Sequence, residues 1–291
     1  MLITQYQHIK KVIMITNAPR QVMFTYLMNT KILLLVCICF LNGTTAIANE
    51  NCSEEFTVTT SIPDSNFEIA LIALNIDTNG FNGNILDSDA LAVTTLFLGG
   101  KGIANFTGIE AFTNLVNLYA YNNNIITADF SQNPALELID LENNKVSSLN
   151  VEANFALIEL LVSNNHLTTI NVNNNIQLQY LSCNLNTLNA LDVSANIDLK
   201  VLRCYSNNLN SLSINSNLSL EMLFVSDNNL NALDVSMLSG LDTLTFDNNN
   251  ISSINLSNNT NLEYLGCANN ILNELDLSAN PNLTRILCNN N

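Results

Sequence analysis

LDVSANIDLKVLRCYSNNLNS (residues 191–211) runs without a break into LSINSNLSLEMLFVSDNNLNA (residues 212–232). Leucines, a central valine or isoleucine and one asparagine keep their places while most other letters change. Extending this alignment gives a continuous period of 21 residues, with units beginning at Ala128, Leu149, Ile170, Leu191, Leu212, Leu233, Ile254 and Leu275. One further unit starts at Thr107. A degenerate unit, VTTLFLGGKGI from Val93, fits if its spacing is 22. Self-similarity at this period predicts a solenoid with ten strand cores.

Within each unit the ninth, twelfth and fourteenth positions are apolar, as in Leu199, Leu202 and Cys204. Alternate strand residues share a face, so positions twelve and fourteen point inward while eleven, thirteen and fifteen point outward. Position seventeen is asparagine every time: Asn123, Asn144, Asn165, Asn186, Asn207, Asn228, Asn249, Asn270 and Asn291. An amide carries donors and an acceptor, so a buried column of them predicts a ladder satisfying turn backbone groups in its own and the next unit. A second asparagine column fills position six, at Asn133, Asn154, Asn175, Asn196, Asn217, Asn259 and Asn280, broken at Leu238. Apolar residues at positions one, three and nineteen complete each coil. So few residues per turn leave no room for an outer α-helix, which predicts extended chain or short 3₁₀ turns there.

The pattern LxxLxCxxNNL followed by xxLDVS, as in LKVLRCYSNNLNSLSI, resembles the short bacterial leucine-rich repeats. The likeness is greatest to secreted leucine-rich repeat proteins of Bacteroidetes and more distant to internalins. It covers residues 93–291, and IPDSNFEIALIALNID (residues 62–77) resembles the segment that precedes the repeats in that family. The resemblance implies a leucine-rich repeat solenoid, of the α/β class by convention, with a parallel β-sheet on the concave face. It also implies that such proteins often continue into more repeats or a C-terminal sorting domain. A chain that stops at Asn291 in an unfinished unit therefore reads as part of a longer protein.

Residues 62–77 have their own physical reading. Phe67, Ala70, Leu71 and Leu74 form one apolar stripe, and Pro63 with Asp64 or Ser65 gives a start signal, predicting a helix over about 64–76. Such a helix covers the open end of the first coil. Ahead of it, Lys31, the apolar run 32–41 and the small-x-small site Ala46, Ile47, Ala48 read as an export signal, with Met28 as the expected true start and Asn49 as the first mature residue. That run is too short to span a bilayer. Cys37 as a lipid-attachment cysteine is disfavoured by the bulky Val36 before it. The expected organisation is an N-terminal extension and signal over 1–48, a cap segment over 49–92 and repeats over 93–291, in a secreted or cell-surface protein.

The formal net charge is −16. The first acidic residue is Glu50, and beyond it only Lys101, Lys145, Lys200, Arg203 and Arg285 oppose all 25 acids. This excludes a nucleic-acid partner, which needs clustered Lys and Arg. Catalysis finds no machinery either. His8 precedes the signal and His166 sits in a turn beside Asn165, so neither a multi-histidine metal site nor a serine triad can form, and Asp140 with Glu142 reads as a solvated pair. Cys183, Cys204, Cys267 and Cys288 share position fourteen with Val162, Val225 and Phe246, the pattern of a small buried hydrophobe, so free thiols are favoured over bridges. Cys52 stands alone. DTNGFNGNILDSD (residues 77–89) has the spaced oxygens of a calcium loop but puts Phe81 and Asn82 where an EF-hand has a ligand and a glycine, and Ser88 where the closing Glu belongs. A plain turn is the favoured reading, with no metal and no cofactor.

The varying positions eleven, thirteen and fifteen line up across units into the concave face. All five tyrosines after residue 49 fall there, at Tyr119, Tyr121, Tyr180, Tyr205 and Tyr264, joined by Arg203, Arg285, Phe97, Met222 and Phe224, with Asp140, Glu142, Glu159 and Asp247 interspersed. Tyr and Arg carry much of the energy of interfaces, although Tyr also suits exposed strand positions. The expected function is protein–protein interaction through this face, centred on Tyr180, Arg203, Tyr205 and Phe224. A glycan-binding or adhesion module is the alternative, and the repeat part of a longer enzyme a third.

Overall fold

A coil with no helix draws many of its backbone partners from the neighbouring coils, and the sheet shows how. Its ten strands are Thr95–Phe97, Asn117–Tyr119, Leu138–Asp140, Glu159–Leu161, Tyr180–Ser182, Val201–Arg203, Met222–Phe224, Thr243–Thr245, Tyr264–Gly266 and Arg285–Leu287, side by side in chain order in one parallel sheet. Val201 pairs with Met222 and Leu202 with Leu223, a shift of one repeat. The first step, Thr95 to Asn117, takes the longer spacing. This computed structural model describes residues 58–291 and, ahead of them, the strands Ile9–Ile15, Val22–Asn29, Ile32–Leu41 and Thr44–Ala46, an antiparallel sheet in a separate unit. The third of these coincides with the apolar run of the expected export signal. His8, Cys52 and the expected cleavage point after Ala48 lie outside the described residues.

Leu199, Leu202, Cys204, Val193 and Leu209 of one representative coil are all buried, while Val201, Arg203 and Tyr205 on the other strand face are partly open. Each buried leucine contributes about 1.5–3 kcal/mol. The outer side is mainly turns and extended chain. It carries a short parallel pair, Thr127–Asp129 with Ser148–Asn150, an isolated bridge from Asp192 to Ser213 and one 3₁₀ helix, Ile109–Ala111.

The asparagine column is an amide ladder, but it reaches backward. Asn207 Nδ2 donates to Cys204 O (3.1 Å) and Tyr205 O (3.3 Å) in its own coil and to Cys183 O (3.1 Å) in the preceding one, and Leu188 N donates to its Oδ1 (2.9 Å). Asn144, Asn165, Asn186, Asn228, Asn249 and Asn270 repeat the arrangement. The sequence pattern assigned these bonds to the next unit. The chain leaves each strand pointing back over the coil already laid down, which reverses the direction. The second column is equally buried: Asn196 Nδ2 donates to Val172 O (3.0 Å) and Asn175 O (2.8 Å).

Just before each ladder asparagine the chain turns left-handed, with φ near +55° at Asn122, Asn143, Asn164, Leu185, Ser206, Asp227, Asn248 and Asn269. Asparagine tolerates this region and leucine does not. The exposed amides at this position add an outer ladder absent from the sequence reading: Asn248 Nδ2 to Asp227 Oδ1 and Asn269 Nδ2 to Asn248 Oδ1, both 2.7 Å.

The preceding helix spans Ser65–Ala73. Asp64 caps it, accepting from Asn66 N (2.9 Å) and Phe67 N (3.1 Å) through Oδ1, while Oδ2 accepts from Ala104 N and Asn105 N and ties the helix to the first coil. Phe67, Ala70 and Leu71 are buried, with Phe67 packed 5.5 Å from Phe106 and 6.3 Å from Phe112 between ring centroids. Leu74 ends the helix as its C-cap and is exposed, so the stripe is one residue shorter than its spacing suggested.

Removing the Asn207 amide leaves the buried Leu188 N without an acceptor, while Cys183 O, Cys204 O and Tyr205 O keep bonds from Asn186 Nδ2, Asn228 Nδ2 and Leu185 N, so Asn207→Ala should lose about 1–3 kcal/mol of unfolding free energy in urea, against less than about 0.5 kcal/mol for the exposed neighbour Asn208→Ala. Leu185→Asn removes a leucine from left-handed backbone and should raise stability by about 1 kcal/mol in the same measurement.

Candidate functional site

The open face of the sheet is built by the alternation of each three-residue strand, whose middle side chain enters the core while its flanking ones stand outward. The proposed binding residues lie on it in three groups. Tyr119 stacks on Phe97 at 5.1 Å with an interplanar angle of 9°, and Tyr121 lies over Gly99, where a Cβ would meet its ring at 2.6 Å. In the middle of the sheet the Arg203 guanidinium sits 5.6 Å from the Tyr180 ring and 5.2 Å from the Phe224 ring, bridging three coils. Tyr205 is half-buried on the same coil as Arg203. Further along, Arg285 covers Tyr264 at 5.1 Å.

These groups are not one continuous aromatic strip. The coils bearing Asp140, Glu142 and Glu159 separate the first from the second, and the coil bearing Asp247 separates the second from the third. Burial pushes the Asp140 carboxyl above its ordinary value of 3.8; a hydrogen bond from Glu142 N opposes the shift and the Glu142 charge adds to it. Burial likewise raises the Tyr180 phenol, with Arg203 pulling it down and Glu142, Glu159 and Tyr205 pushing it up.

Two polar devices on this face escaped the sequence reading. Ser163 Oγ and Ser182 Oγ lie 2.6 Å apart and 2.7 and 2.9 Å from Asn184 Oδ1, so that one hydroxyl donates to the amide oxygen and the two share the remaining proton contacts in a buried cluster. Asp247 accepts from Ala268 N (2.7 Å) and Ser226 Oγ (3.2 Å), and a Cβ at Gly266 would meet its Oδ2 at 2.6 Å. The glycines at outward positions, Gly99 and Gly266, were the available signal, since each marks a neighbouring side chain lying across the strand.

The four cysteines of position fourteen are unbridged. Cys183, Cys204 and Cys267 are buried, and desolvation pushes Cys183 and Cys267 up to about 12 and Cys204 well above 9.0. Thiols so held are neutral and supply no nucleophile. His166 is exposed. Among the described residues no three His, Cys, Asp or Glu side chains gather as a metal site, and no helix is long and apolar enough to cross a membrane.

The fold is that of the leucine-rich repeat proteins: a parallel-sheet solenoid of stacked coils. It is similar to the functional domain of InlJ from Listeria monocytogenes, described as including a cysteine ladder, with 30% identity and a TM-score of 0.64 over 79% of this chain and 57% of that one. Internalin C2 of the same organism shares the fold at 19% identity and a TM-score of 0.61, over 73% of this chain and 99% of that one. The plant peptide hormone receptor RGFR1, solved in complex with RGF2, aligns at 26% identity and a TM-score of 0.57, over 63% of this chain and 33% of that one. This chain thus spans little more than half of the InlJ chain. No protein-family model and no curated protein matches it.

A raised carboxyl favours folding below its unfolded value and loses that contribution as pH rises through its folded value. Asp140→Asn keeps the acceptor for Glu142 N and removes the buried charge. It should stabilise the protein in urea at pH 7, and the gain should shrink as pH falls through the folded-state value of Asp140, where the wild-type carboxyl takes up its proton.

Proposed function

We propose that this solenoid is a non-catalytic recognition module, exported to the cell surface or beyond, that binds a protein partner through the open face of its sheet. The observation that carries this reading is the Arg203 clamp. Its guanidinium is gripped between the Tyr180 and Phe224 rings, and its Nε is buried without a hydrogen-bond partner. A stacked guanidinium is pre-organised, so little entropy is lost when it meets a planar acceptor. With Tyr205 beside it, the clamp presents large contact area with polar tips. The RGFR1 structure, in complex with RGF2, supports peptide or protein recognition by solenoids of this kind. We read the stacked cysteines, in the light of the cysteine ladder described for InlJ, as packing within the coils.

A second reading, sugar recognition, draws on Phe97 and Tyr121, exposed by 58% and 42%, whose rings offer stacking faces. The two are separated by probing wild type, Arg203→Ala, Tyr205→Ala and Tyr121→Ala against extracellular proteins and a glycan array. The protein reading expects a partner whose affinity falls about 30-fold or more in Arg203→Ala, with an unchanged circular dichroism spectrum. Sugar binding by wild type that is lost in Tyr205→Ala or in Tyr121→Ala overturns it.

A further inference from the structure

Apart from the second asparagine column, the buried side-chain oxygens left without a hydrogen-bond partner among the described residues are two: Asp77 Oδ2 and Asn79 Oδ1. Both lie in the cap loop between the Ser65–Ala73 helix and the Asn84–Leu86 strand. Asp77 is 5% exposed and uses only its Oδ1, which accepts from Asn79 N at 3.2 Å. Asn79 spends its Nδ2 on Asn84 Oδ1 at 2.8 Å, leaving its carbonyl oxygen open. A buried carboxylate oxygen with neither donor nor cation is costly, and buried charges are normally paired or metal-bound. No Lys, Arg or His occurs between residues 58 and 92 to supply the pairing.

Two further carboxylates hold the loop. Glu68, itself 1% exposed, accepts from Asn82 N and Gly83 N, and Asp89 accepts from Thr78 N (3.0 Å) and Thr78 Oγ1 (2.7 Å). Burial holds the Asp77 carboxyl above its ordinary range; the bond from Asn79 N and the nearby Gly80 N–H oppose this, and the Glu68 and Asp89 charges add to it. Gly80 and Gly83 turn the loop at φ +78° and +80°, after which it enters the Asn84–Leu86 strand and the Asp87–Leu91 helix. Helix, oxygen-rich loop, short strand and helix is the order of a calcium loop, here with the turn glycine one residue later than in a twelve-residue EF-hand loop.

We propose that this loop binds a calcium-class divalent cation, with Asp77 Oδ2 and Asn79 Oδ1 as side-chain ligands and loop carbonyls and water completing the shell. Since no three acidic side chains converge there, the low ligand charge places affinity in the range of about 10⁻⁴–10⁻³ M found in extracellular modules. Calorimetric titration of CaCl2 and MgCl2 into the protein tests this independently of any partner on the sheet. Wild type should bind one calcium per chain and magnesium more weakly. Asn79→Asp adds ligand charge and should tighten calcium about tenfold, and Asp77→Asn should abolish binding. Asp192→Asn, an exposed acid far along the repeats, should behave as wild type. Absence of a saturable calcium heat up to about 10 mM, unchanged affinity in Asn79→Asp, equal magnesium affinity, or an equal loss in Asp192→Asn overturns the proposal. If Asp77→Asn fails to fold, Asn79→Asp decides alone.

Discussion

The backward-reaching amide at position seventeen is the constraint on which this molecule depends. A coil of about 21 residues turns sharply at the end of each three-residue strand, and the carbonyls there point into the core, away from water. Left unpaired, each would cost on the order of 1–3 kcal/mol, about what the burial of one leucine returns. The side chain of Asn207 serves three such carbonyls and one amide of two coils at once. The hydrophobic stripe then decides only how the coils fill; whether they can close is settled by the amide.

That logic explains how much of the fold was legible. Period, strand face and ladder all follow from one repeated letter pattern, because a repeat shows each structural requirement eight or nine times over. The direction of the ladder was not legible, since position alone does not say whether an amide reaches forward or back. Neither was the outer amide line through Asp227, Asn248 and Asn269: its residues vary between Asn, Asp, Ser and Leu, and their shared property is a backbone torsion. Leu185 shows how far tertiary context can override a local preference.

The site was legible in outline for the same reason and hidden in detail. Alternation assigned Tyr180, Arg203 and Phe224 to one face, and the structure adds that they form a single stack. The division of the face into three aromatic groups separated by carboxylates, and the sealed Ser163, Ser182 and Asn184 cluster, depend on rotamers and on neighbours 21 residues away. In the cap loop Gly80 and Gly83 both take left-handed torsions, at φ +78° and +80°, and letter spacing alone does not say how those two turns dispose the oxygens between them.

Because each ladder amide completes the coil before it, a coil emerging from the ribosome is unfinished until its successor arrives. The Ser65–Ala73 helix, tied by Asp64 to the first coil, closes the amino end in a different way, through a side-chain carboxylate in place of a ladder amide. The solenoid therefore has a bonding polarity, and its two ends are chemically unlike.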